Sequence, residues 1–283
     1  MIYINNSDFD LRKIAESGQC FRMRSNAEGG YTLVAHGRVL NLRNTAEGCE
    51  MDCSNADFEA LWRDYFDLDR DYAAIRSGVD PEDAFLNLAC DYGRGIRILR
   101  QDPWEVLVSF IISQRKNIPA IQRCVETLCV RYGEPVERAG ELFFTFPSAK
   151  RLSGLEETCL LGCALGYRAK YVSAAARLVA SGELDLQKAV ALPDEALLSS
   201  LLALPGVGEK VANCVMLFGY HRLGRFPQDV WINRVIDVEY GGTFPAERYP
   251  DTAGALQQYI FYYARSAAYA AEKKRFDPET MEE

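Results

Sequence analysis

The sequence predicts an α+β, mostly α protein in which a small N-terminal antiparallel β-sheet packs on a larger helical bundle. Three observations carry this. Short runs of strand formers precede residue 50, and apolar residues recur at helical spacing from residue 58 onward. No repeat, low-complexity tract or long linker breaks the 283 residues, of which 48% are hydrophobic and 25% charged.

Tyr31-Thr-Leu-Val-Ala and Arg38-Val-Leu-Asn-Leu-Arg43 read as two strands meeting at a turn on His36-Gly37. Phe58, Leu61, Trp62, Tyr65 and Phe66 then follow the i, i+3, i+4, i+7, i+8 rule, behind a cap at Ser54 or Asn55. Asp102-Pro103 starts a helical stripe of Trp104, Leu107, Val108, Ile111 and Ile112 that runs to about Cys129. A further helix spans Arg168 to Ala180, with Gly182 placed to end it. The chain divides near residue 100, into a β-rich part over 1–100 and a helical part over 101–283.

Composition excludes several function classes. No apolar run approaches the roughly 20 residues of a membrane span. The opening residues lack the basic flank and apolar stretch of a secretory signal, so the expected location is cytoplasmic. Nine scattered cysteines without paired CxxC elements argue for reduced buried thiols, with no side-chain metal site and no cofactor. The net charge of −8 runs against nucleic-acid binding. Net charge governs long-range attraction, however, and a local basic or amide-lined face still holds phosphates.

The most informative stretch is Leu204-Pro-Gly-Val-Gly-Glu-Lys210, between a helix carrying Leu197, Leu198, Leu201 and Leu202 and one carrying Val211, Cys214, Val215 and Phe218. Gly206 and Gly208 permit positive φ in a tight turn. Such a turn presents bare backbone N–H groups at a helix N-terminus, where the dipole favours an anion. The expected ligand is a DNA phosphate, with a cation on the carbonyls of 204–208 as a bridge. The plainer alternative is an ordinary αα-hairpin.

Lys210 falls in the first turn of that second helix, where a cation is disfavoured. An ammonium destabilised there becomes the neutral amine that a nucleophile requires. Asp229, in Phe226-Pro-Gln-Asp-Val-Trp-Ile-Asn-Arg, is an expected N-cap. At the mouth of a helix beside the hairpin, the same carboxylate stabilises positive charge on a sugar losing its base.

This combination of hairpin, Lys210 and Pro-x-Asp-Val resembles the helix-hairpin-helix/Gly-Pro-Asp (HhH-GPD) glycosylase superfamily, and within it the 8-oxoguanine DNA glycosylase branch. The resemblance runs from about Ser17 to Phe261. Ser17-Gly-Gln-Cys-Phe-Arg22 is similar to the motif whose glycine carbonyl accepts the N7–H of the oxidised base, implying Gly18. Leu165-Gly-Tyr-Arg-Ala-Lys-Tyr171 resembles the stretch that wedges into DNA and contacts the estranged cytosine, implying Tyr167 and Arg168. Cys214 matches the cysteine stacked on the flipped base. Gln257 and Phe261 match the glutamine that reads the purine's Watson–Crick edge and the phenylalanine on its other face. The resemblance thus implies a base-excision-repair enzyme, a bifunctional glycosylase and AP lyase. It acts as a monomer on double-stranded DNA containing 8-oxoguanine, in a prokaryotic cytoplasm.

Two departures stand out. Phe110-Ile-Ile-Ser-Gln-Arg-Lys-Asn-Ile-Pro-Ala120 has Arg115 where an asparagine normally fills the hole left by the base, and Ala120 where an arginine reads the opposite cytosine. Trp231 stands where a histidine follows the aspartate. The base required opposite the lesion is therefore left open. Two rivals are a monofunctional 3-methyladenine-type glycosylase, which has no use for Lys210, and a non-catalytic DNA-structure binder, which has no use for Gln257 and Phe261.

Overall fold

A computed structural model describes residues 1–5, 8–46 and 48–275; the last residues of the 101–283 stretch, 276–283, lie outside it. The N-terminal sheet has five antiparallel strands in the order β1 (Ile2–Asn5), β5 (Gly48–Met51), β4 (Arg38–Asn44), β3 (Tyr31–Ala35), β2 (Met23–Ser25). The predicted hairpin forms with Leu33 opposite Leu40, and both His36 (φ 49°) and Gly37 (φ 71°) take the left-handed conformation that a two-residue turn needs. Leu33, Ala35, Leu40 and Leu42 turn to one face and pack on α1 (Leu11–Glu16) and on the predicted aromatic helix, α2.

Helix α2 begins at Asn55–Asp57, capped by Ser54, continues through Phe58–Trp62 and ends at Arg63–Tyr65. Its middle turn is a π-helix, which simple periodicity does not foresee. Trp62, Tyr65 and Phe66 are buried as the spacing predicts.

Helices α3 (Tyr72–Ser77) and α4 (Ala84–Gly93) lie within residues 1–100, yet Tyr72, Leu86 and Ala89 belong to the larger helical core. The reason is α4, whose Gly93 leaves room for the Tyr259 backbone of the C-terminal helix. The two cores interleave along the chain, since Leu99 belongs to the first and Phe21 to the second.

The stripe expected from Pro103 to Cys129 is two helices, α5 (Pro103–Ser113) and α6 (Ile118–Tyr132), broken at Gln114–Asn117. Asp102 caps the first and Asn117 the second. A two-stranded hairpin, β6 (Pro135–Arg138) and β7 (Glu141–Phe144), follows where only helix was expected. Its turn is Ala139-Gly140, both at positive φ, so the usual Asn-Gly or Asp-Gly signal is missing.

The rest is helical: α7 (Ala149–Ser153), α8 (Glu157–Leu161), α9 (Ala169–Ser181), α10 (Asp194–Leu202), α11 (Glu209–Phe218), α12 (Val230–Tyr240), α13 (Ala253–Ala264) and α14 (Ala267–Arg275). Gly182 closes α9 at φ 80°, as expected. Among the described residues no helix is long and apolar enough to cross a membrane.

Candidate active site

The hairpin from α10 to α11 forms where the sequence places it. Gly206 takes φ 77°, and a Cβ there would fall 2.3 Å from the ring of Tyr171, so only glycine fits. Gly208 departs from expectation: its φ of −100° is extended backbone, and nothing crowds it. Its missing side chain leaves open space at the N-terminus of α11, which suits close approach of an anion. The Leu204 carbonyl accepts from Val207 N–H (3.1 Å), that of Gly208 from Ala212 N–H (2.9 Å) and that of Gly206 from the Gln114 amide (3.0 Å). Each keeps one further lone pair with which to meet a cation.

Lys210 points from the first turn of α11 toward the end of α5. Its Nζ donates to Ser113 Oγ (3.4 Å) and lies 4.9 Å from the centre of the Phe110 ring. Ser113 Oγ in turn donates to the Phe110 carbonyl (2.8 Å), which turns its lone pairs to the lysine. Asp229 caps α12 as expected: Oδ1 accepts from the N–H groups of Trp231 (3.0 Å) and Ile232 (2.9 Å). No donor among the described residues reaches Oδ2. The cap thus holds the carboxylate rigid while leaving one oxygen for other work.

Both groups line the same space. A cleft of about 610 Å³ is bordered by Arg115, Lys116, Lys210, Asp229, Trp231 and Arg265, with Gly18 and Phe261 on its floor. Deeper lies a slot of about 40 Å³ whose walls include Gly18, Lys210, Cys214, Asp229, Gln257 and Phe261. Six expected residues from four separate segments therefore converge. Burial pushes the Cys214 thiol up to about 11, Lys210 opposing and Asp229 adding to the shift. The sulfur is a neutral, soft wall at neutral pH.

Gln257 is 4% exposed; its Nε2 donates to the Pro227 carbonyl (3.0 Å) and its Oε1 accepts from Gln258 Nε2 (3.0 Å). Gly18 sits at φ 77° with the Phe261 ring 3.1 Å from where a Cβ would stand.

Arg115, Tyr167 and Arg168 form a second group beside the cleft. Arg115 occupies the break between α5 and α6 at φ 54°, an uncommon conformation for a residue other than glycine and one enriched at functional sites. Arg168 is buried, donates to the carbonyls of Gln114 (2.8 Å) and Leu165 (3.2 Å), and stacks 4.4 Å from the Tyr167 ring centre. In this structure the guanidinium braces the turn rather than reaching outward. Tyr167 is 48% exposed.

Four contributors were not foreseen. Ser113 and Phe110 hold Lys210. Gln114 ties the Arg115 turn to the hairpin through the Gly206 carbonyl. Arg265 stacks 4.9 Å from the Phe261 ring centre and donates to the Glu16 carbonyl (3.3 Å). Only Arg265 carried a sequence signal, lying one helical turn beyond Phe261.

The chain is similar to proteins of known family. Residues 1–107 match the family described as 8-oxoguanine DNA glycosylase, N-terminal domain. The chain is 32% identical over 272 residues to the N-glycosylase/DNA lyase of Saccharomyces cerevisiae, covering 84% of this chain and 70% of that protein. Among solved structures, MBOgg1 in complex with a low-affinity DNA ligand superposes with a TM-score of 0.87 at 40% identity, covering 91% of this chain and 92% of that one. The 8-oxoguanine glycosylase/lyase of Clostridium acetobutylicum, in complex with double-stranded DNA containing cytosine opposite 8-oxoG, gives 0.86 at 34% identity, with coverage of 91% and 92%.

Proposed function

Because the chain belongs to the 8-oxoguanine DNA glycosylase family, we propose that it excises 8-oxoguanine from duplex DNA and then nicks the abasic strand, with Lys210 as nucleophile and Asp229 as its electrostatic partner. The observation that carries this is the convergence of Lys210, Asp229, Cys214, Gln257 and Phe261 on one slot. As it stands the slot is far smaller than a purine, so the half-buried Phe261 ring swings off Gly18 to admit the base. The extruded base then stacks between Cys214 and Phe261, with Gln257 on its Watson–Crick edge and the Gly18 carbonyl at N7–H. Tyr167 and Arg115 wedge into the duplex, and the hairpin N–H groups at Gly208 hold a backbone phosphate.

The neutral Lys210 amine attacks C1′ as the glycosidic C–N bond breaks, and the departing base keeps the electron pair and takes up a proton. Asp229 Oδ2 stabilises the positive charge that builds on the sugar. One proton of the attacking amine goes to the departing base and the other to O4′ as the C1′–O4′ bond opens, leaving an imine. Loss of a C2′ proton then expels the 3′ phosphate by β-elimination.

The 3-methyladenine-type alternative leaves Lys210 in the slot without a task. A bare DNA-structure binder leaves the whole slot unexplained. The expected setting is the chromosome inside a prokaryotic cell, with the protein acting as a monomer.

Borohydride reduces an imine to a stable amine, so incubation with an 8-oxoguanine duplex is expected to yield a covalent protein–DNA adduct. The variant Lys210→Gln is expected to give none. An adduct of undiminished yield in that variant would exclude Lys210 as the nucleophile.

A further inference from the structure

The slot contains one polar atom that the proposed recognition does not use. Gln258 is only 3% exposed and lines the slot beside Gln257, and its Oε1 is buried with no hydrogen-bond partner among the described residues. The orientation of this amide follows from its neighbours. The Pro227 carbonyl can only accept, so the Gln257 NH2 must face it. That turns Gln257 Oε1 toward Gln258, whose NH2 must therefore face Gln257. The relay ends at Gln258 Oε1, an acceptor that has lost its water and gained nothing in return. Such a group is costly to bury unless a donor reaches it.

The Watson–Crick edge of a guanine carries two adjacent donors, N1–H and the exocyclic 2-amino group, next to the O6 acceptor. Gln257 keeps one N–H and one lone pair after its two protein bonds, which suffice for O6 and N1–H. The 2-amino group is then without a partner on the enzyme. We propose that Gln258 is a specificity-determining residue, whose Oε1 accepts a hydrogen bond from the 2-amino group of the extruded purine while its Nε2 holds Gln257 in register. The bond satisfies at once the enzyme's buried acceptor and the base's buried donor. A base lacking the amine leaves the acceptor orphaned, which is the situation in which hydrogen-bonding sites discriminate most strongly. This inference rests on the activity proposed above.

The test compares single-turnover excision of 8-oxoguanine with that of 8-oxohypoxanthine, which differs only by loss of the 2-amino group, each opposite cytosine. The unaltered protein is expected to prefer 8-oxoguanine by about tenfold, the value of one good neutral hydrogen bond. In Gln258→Met, which keeps the shape and removes the acceptor, the ratio is expected to fall to near one, whatever the overall loss of rate. A purely structural role would slow both bases together and leave the ratio unchanged in Gln258→Met; that result, or equal rates with the unaltered protein, overturns this assignment alone. Excision of neither base by the unaltered protein would overturn the proposed activity and this assignment with it.

Discussion

Gly18, Cys214, Gln257 and Phe261 are individually unremarkable residues, and each has an ordinary reading as core or surface. The roles proposed for them come from the family resemblance, with which the spacing is consistent: Gln257 and Phe261 share one helix face and Cys214 lies one turn from Lys210. Hydrogen bonds set by remote neighbours were invisible at this scale. Nothing local in the sequence says that Pro227 orients Gln257, or that Ser113 receives Lys210. Gly18 shows how tightly the scale is tuned. A methyl group there would press on Phe261 and Ile118 and strain a left-handed backbone. Gly18→Ala is expected to fold, with a loss of about 1 kcal/mol in stability, while excision of 8-oxoguanine slows at least about tenfold through loss of one carbonyl contact. Chemical denaturation and single-turnover kinetics measure the two effects separately, and an unaltered excision rate would remove Gly18 from the base pocket.

At the level of elements, the hairpin was legible because its turn demands glycine for a steric reason. The structure assigns that demand to Gly206 alone, packed on Tyr171, while Gly208 is spared for what lies outside the protein. Gly206→Ala is expected to destabilise by roughly 2–4 kcal/mol from overpacking and positive φ together. Adding Tyr171→Ala to it is expected to recover part of that loss, read as a rise in Tm above that of Gly206→Ala; no recovery would mean that the ring is not the obstacle. The break between α5 and α6 was read through, although Asn117 and Pro119 mark the start of a new helix, Pro119 having no N–H for the Arg115 carbonyl. What no local signal gives is the positive φ of Arg115, in a stretch from Gln114 to Asn117 without glycine. Tertiary bonds hold it there: Arg168 clasps the Gln114 carbonyl and Lys116 donates to that of Ala164 (3.2 Å). The same break is what turns Arg115 into the cleft.

Across the whole molecule, the objection raised by a net charge of −8 dissolves in how charges are distributed. Many arginines are matched to carboxylates at the surface, as in Arg63–Asp69, Arg138–Asp52 and Arg225–Asp194. Among the described residues Arg115, Lys116, Lys210 and Arg265, all bordering the cleft, form no ion pair. The acidic excess lies elsewhere and the cleft keeps its cations for an anionic partner. The two cores are joined by a buried hub. Asp67, 5% exposed, binds Arg70, Arg100 and the hydroxyl of Tyr72, and approaches His221 beyond the end of α11. Burial works against the Asp67 charge, but His221 and Arg70 outweigh it and hold the carboxyl well below the usual carboxylate range. A folded-state pKa lowered in this way contributes stability that is present above the unfolded value near 4 and is lost as pH falls below it. Asp67→Asn is expected to cost about 2 kcal/mol at pH 7 by removing the buried charge that accepts from Arg70, Arg100 and Tyr72. The gap from the unaltered protein should narrow as pH drops from 5 to 3. Thermal melts across that range check this, and a gap independent of pH would assign the hub to packing instead of charge.

Periodicity, caps and obligatory glycines act through neighbours in the chain, so strands β3 and β4, the helices with a clear apolar stripe (α2, α9, α10, α11), the hairpin between α10 and α11, and the caps at Asp102 and Asp229 could be read before any fold was known. Depth and adjacency are different quantities. They arise only when α5, α11, α12 and α13 pack, and they decided which carbonyl orients which amide, which arginine is turned into a left-handed conformation, which turn closes on alanine, and which buried oxygen is left to await a donor. A linear pattern encodes what each residue prefers; the low dielectric interior determines what each one is able to do.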